Sequence, residues 1–326
     1  MNNCAAATSY GMNKDKIVFF GTSEFAVPSL EALIKEGYEI MAVITTPDEP
    51  TGRKQILTPP SVKIVAQKLG LKILQPKSLK IENLKFKIPD ADVGVIASYG
   101  KIIPLEILNQ PKYGFINIHP SLLPKYRGPS PIQYTLLNGD EETGVTIMKV
   151  DAQVDHGLIL AKSQKLNIQN EKFQELHNEL AKIGAELLIK TLPDYLAGKI
   201  EPMEQDHNQA TFTKIIKKED GKIDWHKSAQ EIYNQFRAFD VWPGIWTMWN
   251  DKILKITDCK ISAEQSYHNH DREYIAQVYN EDGIIFVPCS NGHIQILRLQ
   301  LEGGKEMPIT DFLSGHKDFV GSKLML

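Results

Sequence analysis

Cysteine is scarce in this sequence: Cys4, Cys259 and Cys289 are the three in 326 residues, and no Cys-x-x-Cys pair occurs. That excludes a disulfide framework and predicts a reducing, cytoplasmic setting. No apolar run approaches the ~18 residues of a transmembrane helix, so no membrane partner is expected. The segment 1–13 lacks arginine and has no basic start leading into an apolar stretch. Neither a secretory signal nor a transit peptide is expected there, and it is read as a disordered N-terminal extension. Positive charge is not in excess either. The net charge is −3, and residues 206–326 hold 14 Lys/Arg against 17 Asp/Glu. Any nucleic-acid contact must therefore rest on local patches. His268 and His270 stand without a third ligand, so no metal site is expected.

What is present reads as an α/β protein. With 42% hydrophobic residues, the chain is long enough for about two domains at ~150 residues each. Ile17-Val18-Phe19-Phe20, the stretch from Glu39 to Thr45, Lys72-Ile73-Leu74, Val93 to Ala97, Phe115 to His119 and Val145 to Val150 are short apolar runs of the kind buried in parallel sheets. Helical patterns separate them: one from about residue 25, with Pro28 confined to its first turn, one over 61–69, and a long one over 171–196. The alternation predicts a Rossmann-like, doubly wound, mostly parallel sheet. The first turn, Gly21-Thr22-Ser23-Glu24-Phe25, lacks the glycines of a dinucleotide fingerprint, so NAD binding is not expected. After a polar stretch at 204–210 and a helix over 229–239, the pattern changes to short runs at 245–249, 252–261, 274–279, 284–287 and 293–301, which predict a small β-barrel or sandwich. The expected division is 14–205 and 206–326.

The stretch Gly114 to Pro124 carries the most chemical information. Asn117 and His119 are two apart, so a strand points both to one face. Pro120 cannot continue a central strand, which puts His119 at the carboxyl end, where open α/β sheets bind ligands. Asp155 lies in a loop after another strand, with Asp151 and His156 as local rivals, and spacing does not choose among the three. Basic groups sit at Arg53-Lys54, at Lys125 and Arg127, and at Lys214, Lys217 and Lys218. Such groups are ordinarily solvated, and phosphate contact is the less common use.

Asn117-x-His119, the following Ser121-Leu122-Leu123-Pro124, and Asp155, 36 positions after His119, resemble the folate-dependent formyltransferases. Phe20 to Ala26, Pro47-Asp48 with Gly52-Arg53, Arg127 to Gln133, Glu142 to Met148, Ile223-Asp224-Trp225 and Arg237-Ala238-Phe239 with Trp242-Pro243 look like the branch that acts on tRNA. The resemblance runs from about Lys16 almost to the C-terminus. The chain differs in carrying Pro120 after His119 and His156 after Asp155. The resemblance implies a Rossmann-like catalytic domain over 14–205 and an OB-like, tRNA-binding β-barrel over 206–326. It implies transfer of a formyl group from 10-formyltetrahydrofolate to the α-amine of methionyl initiator tRNA, for translation initiation, by a monomer that needs no metal. It assigns catalysis to Asn117, His119 and Asp155, and the folate pocket to Ser121, Leu122, Leu123 and Pro124 with Ile96, Tyr99 and Gly100. It points to Arg53 at the tRNA acceptor end, with Lys54, Lys125, Arg127, Lys214, Lys217 and Lys218 as further tRNA contacts.

The chemistry suits these residue types. A model α-amine has a pKa of about 8, and the adjacent ester withdraws electrons, so no strong base is needed to make the nucleophile. The demanding steps are stabilising an oxyanion and protonating the leaving nitrogen. An amide donor and an imidazolium serve the first, and a carboxylate that orients the imidazole or a water serves the second. A small amine as acceptor, water as acceptor, and a non-catalytic RNA-binding module are the competing readings.

Overall fold

In the computed structural model the described residues are 15–52, 55–79, 87–262 and 274–325. The expected disordered segment 1–13, Arg53, Lys54 and the pair His268 and His270 lie outside them. The contacts divide the chain into two compact units. One comprises the described residues of Met1–Gly128, with Gly144–Lys165 and Asn178–Phe212. The other comprises Pro129–Thr143, Leu166–His177 and Thr213–Leu326.

The first unit is built on a seven-stranded sheet. Its order is Ile159–Lys162, Thr146–Lys149, Phe115–His119, Val93–Ala97, Lys16–Gly21, Glu39–Ile44 and Ile73–Leu74. The five strands from Phe115–His119 to Ile73–Leu74 are mutually parallel, and Thr146–Lys149 runs against its neighbours. The strand order reverses beside Lys16–Gly21, the switch point where α/β sheets open a crevice at their carboxyl ends. Backbone and side-chain hydrogen bonds tie that crevice together: Thr22 N donates to Ser98 O at 3.1 Å and Ser23 Oγ to Ser98 Oγ at 2.7 Å.

Apolar runs form the central strands because both faces are covered. Val18, Phe20, Ala42, Ile44, Tyr99, Ile107 and Phe115 form one buried cluster. The helix Phe173–Leu196 buries Leu180, Ala181, Ala185, Leu188 and Leu192, spaced for one helical face. At Gly184 a Cβ would stand 2.8 Å from Cγ2 of Ile118, so the glycine lets the helix press directly on the strand that carries the candidate site. The helix Val27–Lys35 has Pro28 in its first turn, after a short 3-10 turn at Glu24–Ala26. Between Pro47 and Pro60, Glu49–Thr51 pairs antiparallel with Ile56–Thr58; strands of three residues are too short to show a period.

In the second unit the helix Ala229–Ala238 starts at a capping box, and Trp225, Ile232 and Phe236 are buried. Its antiparallel sheet runs Ile245–Trp249, Lys252–Ile261, His293–Leu301, Ile284–Pro288, Tyr279–Glu281, with Met307–Pro308 beside His293–Leu301. The strand expected at 274–279 is a correction: 274–277 form a turn, with Ala276 at a φ of 67°, and the strand begins at Tyr279. The last residues join the two sheet edges. Met325 N donates to Met248 O at 2.9 Å on one side and Leu324 N to Ala276 O at 2.8 Å on the other. Closure of this kind removes exposed strand edges, as in small barrels.

Candidate active site

The strand Phe115–His119 pairs with Val93–Ala97 on one side and with Thr146–Lys149 on the other. Alternation points Asn117 and His119 to one face and turns Ile118 to the other, against the long helix. His119 is 4% exposed. Its Nε2 lies 2.9 Å from the carbonyl of Tyr126. A carbonyl only accepts, so Nε2 carries a proton and donates. Nδ1 faces Asp155 Oδ1 at 3.5 Å. As an imidazolium, the ring has an acceptor on each nitrogen.

Asp155 is held on three sides. Asn117 Nδ2 donates to Oδ1 at 3.2 Å, and the backbone N–H of Gly128 donates to Oδ2 at 2.8 Å. Gln205 Nε2 donates to its carbonyl at 3.0 Å and to that of Gly157 at 2.8 Å. The backbone of Asp155 is left-handed, with a φ of 48°, a conformation Asp tolerates better than most residues. Gly157 passes so close to the Lys149 carbonyl that a Cβ would collide with it. The rivals in this loop have other partners. Asp151 Oδ1 accepts from Gln153 N at 2.8 Å, and its Oδ2 accepts from His156 Nδ1 at 2.7 Å. The structure thus brings Asn117, His119 and Asp155 together.

Other expected residues are distributed differently. Ser121 is buried, with Oγ donating to the Lys125 carbonyl at 2.6 Å. Leu123 packs with Met148 and Ile159, and Leu122 borders Gly144. Tyr99 is turned into the core, its ring edge-on to Phe20 at 5.1 Å, and burial pushes its phenol up to about 12. Ile96 is half-buried against the same core, and Pro124 is half-buried, while Gly100 is exposed. Lys125 is exposed in the first unit, and Lys214, Lys217 and Lys218 are exposed in the second. Arg127 is not a surface cation. It is 4% exposed, its Nε and Nη2 donate to Gln205 Oε1 at 3.1 and 2.7 Å, and Nη2 also donates to His207 Nδ1 at 2.8 Å. Burial pulls its guanidinium down, while the carboxylates of Asp155 and Asp151 pull it back up. Gln205 and His207 stand in the polar stretch 204–210, and nothing local in the sequence marks them.

Residues 15–192 match the family described as formyl transferase, and residues 215–317 match the formyl transferase C-terminal domain. A methionyl-tRNA formyltransferase of Caldicellulosiruptor saccharolyticus is 45% identical over 305 residues, 92% of this chain and 97% of the relative. One of Citrifermentans bemidjiense is 41% identical over 93% of this chain and 94% of the relative. This chain belongs to the formyltransferase family. The formyltransferase fold is also met in solved structures. A methionyl-tRNA formyltransferase from Clostridium thermocellum superposes with a TM-score of 0.52 at 19% identity, over 76% of this chain and 94% of that one. A sugar 3N-formyl transferase, solved in the presence of dTDP and 5-N-formyl-THF, superposes with a TM-score of 0.63 at 21% identity, over 90% of this chain and all of that one. At those identities the likeness concerns the formyltransferase fold alone.

Proposed function

We propose that this formyltransferase moves the formyl group of 10-formyltetrahydrofolate to the α-amine of methionyl initiator tRNA, the modification that serves translation initiation. The observation that carries the reading is its likeness to relatives named for that reaction. Identities of 40–45% extend over 92–95% of the chain and so include the antiparallel second unit. In this reading 14–205 is the catalytic domain and 206–326 an OB-like tRNA-binding domain, with 129–143 and 166–177 packed into the second unit.

Asn117 donates one amide hydrogen to Asp155, which fixes the amide plane and leaves the second hydrogen for the formyl oxygen as it becomes an oxyanion. His119, anchored by the Tyr126 carbonyl, adds positive charge on the same face. Asp155 holds the imidazolium and orders a water that takes the amine proton and returns it to the folate nitrogen as its bond to the formyl carbon breaks. Ser121 to Pro124, Ile96, Tyr99 and Gly100 border the donor. Because Ser121, Leu123 and Tyr99 turn their side chains inward, they offer it main chain. Lys125, Lys214, Lys217 and Lys218, with Arg53 and Lys54, are the tRNA contacts; Arg127 leaves that group because its guanidinium is engaged within the protein.

The test offers the purified protein 10-formyltetrahydrofolate with methionyl initiator tRNA in one reaction and glycinamide ribonucleotide in another. Formylation of the tRNA-bound amine alone is expected. Formylation of the small amine, or formate released in both reactions, would move the protein to another branch of the family.

A further inference from the structure

Asp155 needs more than its own loop to stay where it is. Its left-handed backbone is of a kind that persists when surrounding structure over-determines it. The segment at 203–205 supplies that structure. Met203 pairs antiparallel with Ile159: Met203 N donates to Ile159 O at 2.9 Å and Ile159 N donates to Met203 O at 2.8 Å, and this register sets Gln205 opposite Gly157. Gln205 is 4% exposed, and both ends of its amide are used. The Nε2 end takes the carbonyls of Asp155 and Gly157. The Oε1 end takes two N–H groups of Arg127. Arg127 is itself fixed from both sides: its N donates to Thr211 O at 2.9 Å, and its Nη2 donates to His207, whose ring stacks on that of His156 at 4.2 Å. The next residue, Gly128, supplies the N–H that holds the Asp155 carboxylate.

Three segments far apart in sequence thus meet at the Gln205 side chain. We infer that Gln205 is a positioning residue for formyl transfer. With Arg127 as its anchor, it braces the Asp155 backbone so that the carboxylate meets Asn117 and His119, and it touches neither substrate. This rests on the reading of Asn117, His119 and Asp155 given above.

Gln205→Glu keeps an acceptor for Arg127 but sets an oxygen against the two carbonyls, and Gln205→Met removes both ends. For either variant, kcat for formylation of methionyl-tRNA is expected to fall about 10- to 100-fold, the scale of a displaced reacting group, with KM for donor and for tRNA within about threefold of the original. On an Asp155→Ala background the same change is expected to add less than about twofold, because residues acting through one group do not add. A kcat within about twofold of the original, a full multiplicative loss on the Asp155→Ala background, or a loss that tracks the folded fraction by circular dichroism would overturn the inference. Undiminished turnover of Asp155→Ala alone would overturn the site reading and the brace with it. A collapsed Asp155→Ala beside an unaffected Gln205→Glu would overturn the brace alone.

Discussion

Arg127 in the first unit and Arg237 in the second are each 4% exposed, and burial lowers the pKa of both guanidinium groups. Their partners set them apart. Arg237 Nη1 donates to the carbonyls of Gln169 at 3.1 Å and Glu171 at 3.5 Å, and Nη2 donates to Asn234 Oδ1 at 2.7 Å. Those acceptors are two loop carbonyls and a side chain of its own helix, so Arg237 fastens one segment of the second unit to another. Arg127 is bound instead by Gln205, whose other end holds the Asp155 loop. A buried, shifted cation is therefore no mark of function in itself. What its partner holds in turn decides whether it serves the fold or the chemistry.

The largest effect should come at the group both ends of that network serve. Asp155→Ala is expected to lower turnover by about 10²–10⁴, the range for lost general acid–base help, with little change in the urea midpoint of unfolding. Equal losses of activity and stability would mean that Asp155 acts as a structural group like Arg237.

The two arginines can be exchanged for methionine as a pair. Arg237→Met strands two carbonyls, while Asn234 Oδ1 keeps its bond from Gln230 Nε2 at 2.9 Å, and a loss of about 2–4 kcal/mol in stability is expected at ~1–3 kcal/mol for each unsatisfied buried acceptor. Turnover per folded molecule should stay within about twofold of the original, because none of the partners of Arg237 holds Asn117, His119 or Asp155. Arg127→Met should show the reverse emphasis, with turnover falling about tenfold or more as Gln205 loses its anchor. Denaturant melts and turnover measured on the same preparations separate the two, and matching profiles would dissolve the distinction.

Trp225→Phe probes the second unit more gently. Trp225 is fully buried, and its Nε1 donates to Thr247 Oγ1 at 3.2 Å, which in turn donates to the carbonyl of Met325 at 2.9 Å in the segment that joins the sheet edges. Losing that donor and part of the ring is expected to cost about 1–3 kcal/mol, read from the same melts, with no change in turnover per folded molecule.

How far the sequence discloses this arrangement depends on the range of the physics involved. Asn117 and His119 are legible because strand alternation is local and Pro120 ends the strand. Asp155 is legible only as one of three, since Asp151, Asp155 and His156 share a turn-prone loop. The choice is made by the N–H of Gly128 and by the left-handed backbone, both set by tertiary contacts. Gln205 is illegible because its meaning lies in the pairing of Met203 with Ile159, between segments more than forty residues apart. The central strands are read correctly because unbroken apolar runs between turn signals leave little choice. The pairing of Glu49–Thr51 with Ile56–Thr58, the helix at Pro131–Leu137 and the closing residues 321–325 are missed because three to seven residues do not establish a period.

The smallest expected effect lies at the start of the helix that carries Arg237. Ser228 Oγ accepts from Glu231 N at 3.2 Å, and Glu231 Oε2 accepts from Ser228 N at 2.8 Å and from its Oγ at 2.7 Å. These bonds from Ser228 hold the Glu231 carboxyl below its usual range. A carboxylate whose folded value is depressed contributes stability that is fully present above its unfolded pKa and is lost as pH falls through the folded one. Ser228→Ala is therefore expected to cost about 1 kcal/mol at neutral pH, the usual worth of such a cap. The gap between the variant and the original should narrow as the melts are carried below the ordinary carboxylate range, because protonated Glu231 no longer rewards the Ser228 donors. A gap that stays constant down to acid pH would assign the cost to the Ser228 acceptor alone and remove Glu231 from the cap, leaving Arg237 as the charged group that ties this helix to its surroundings.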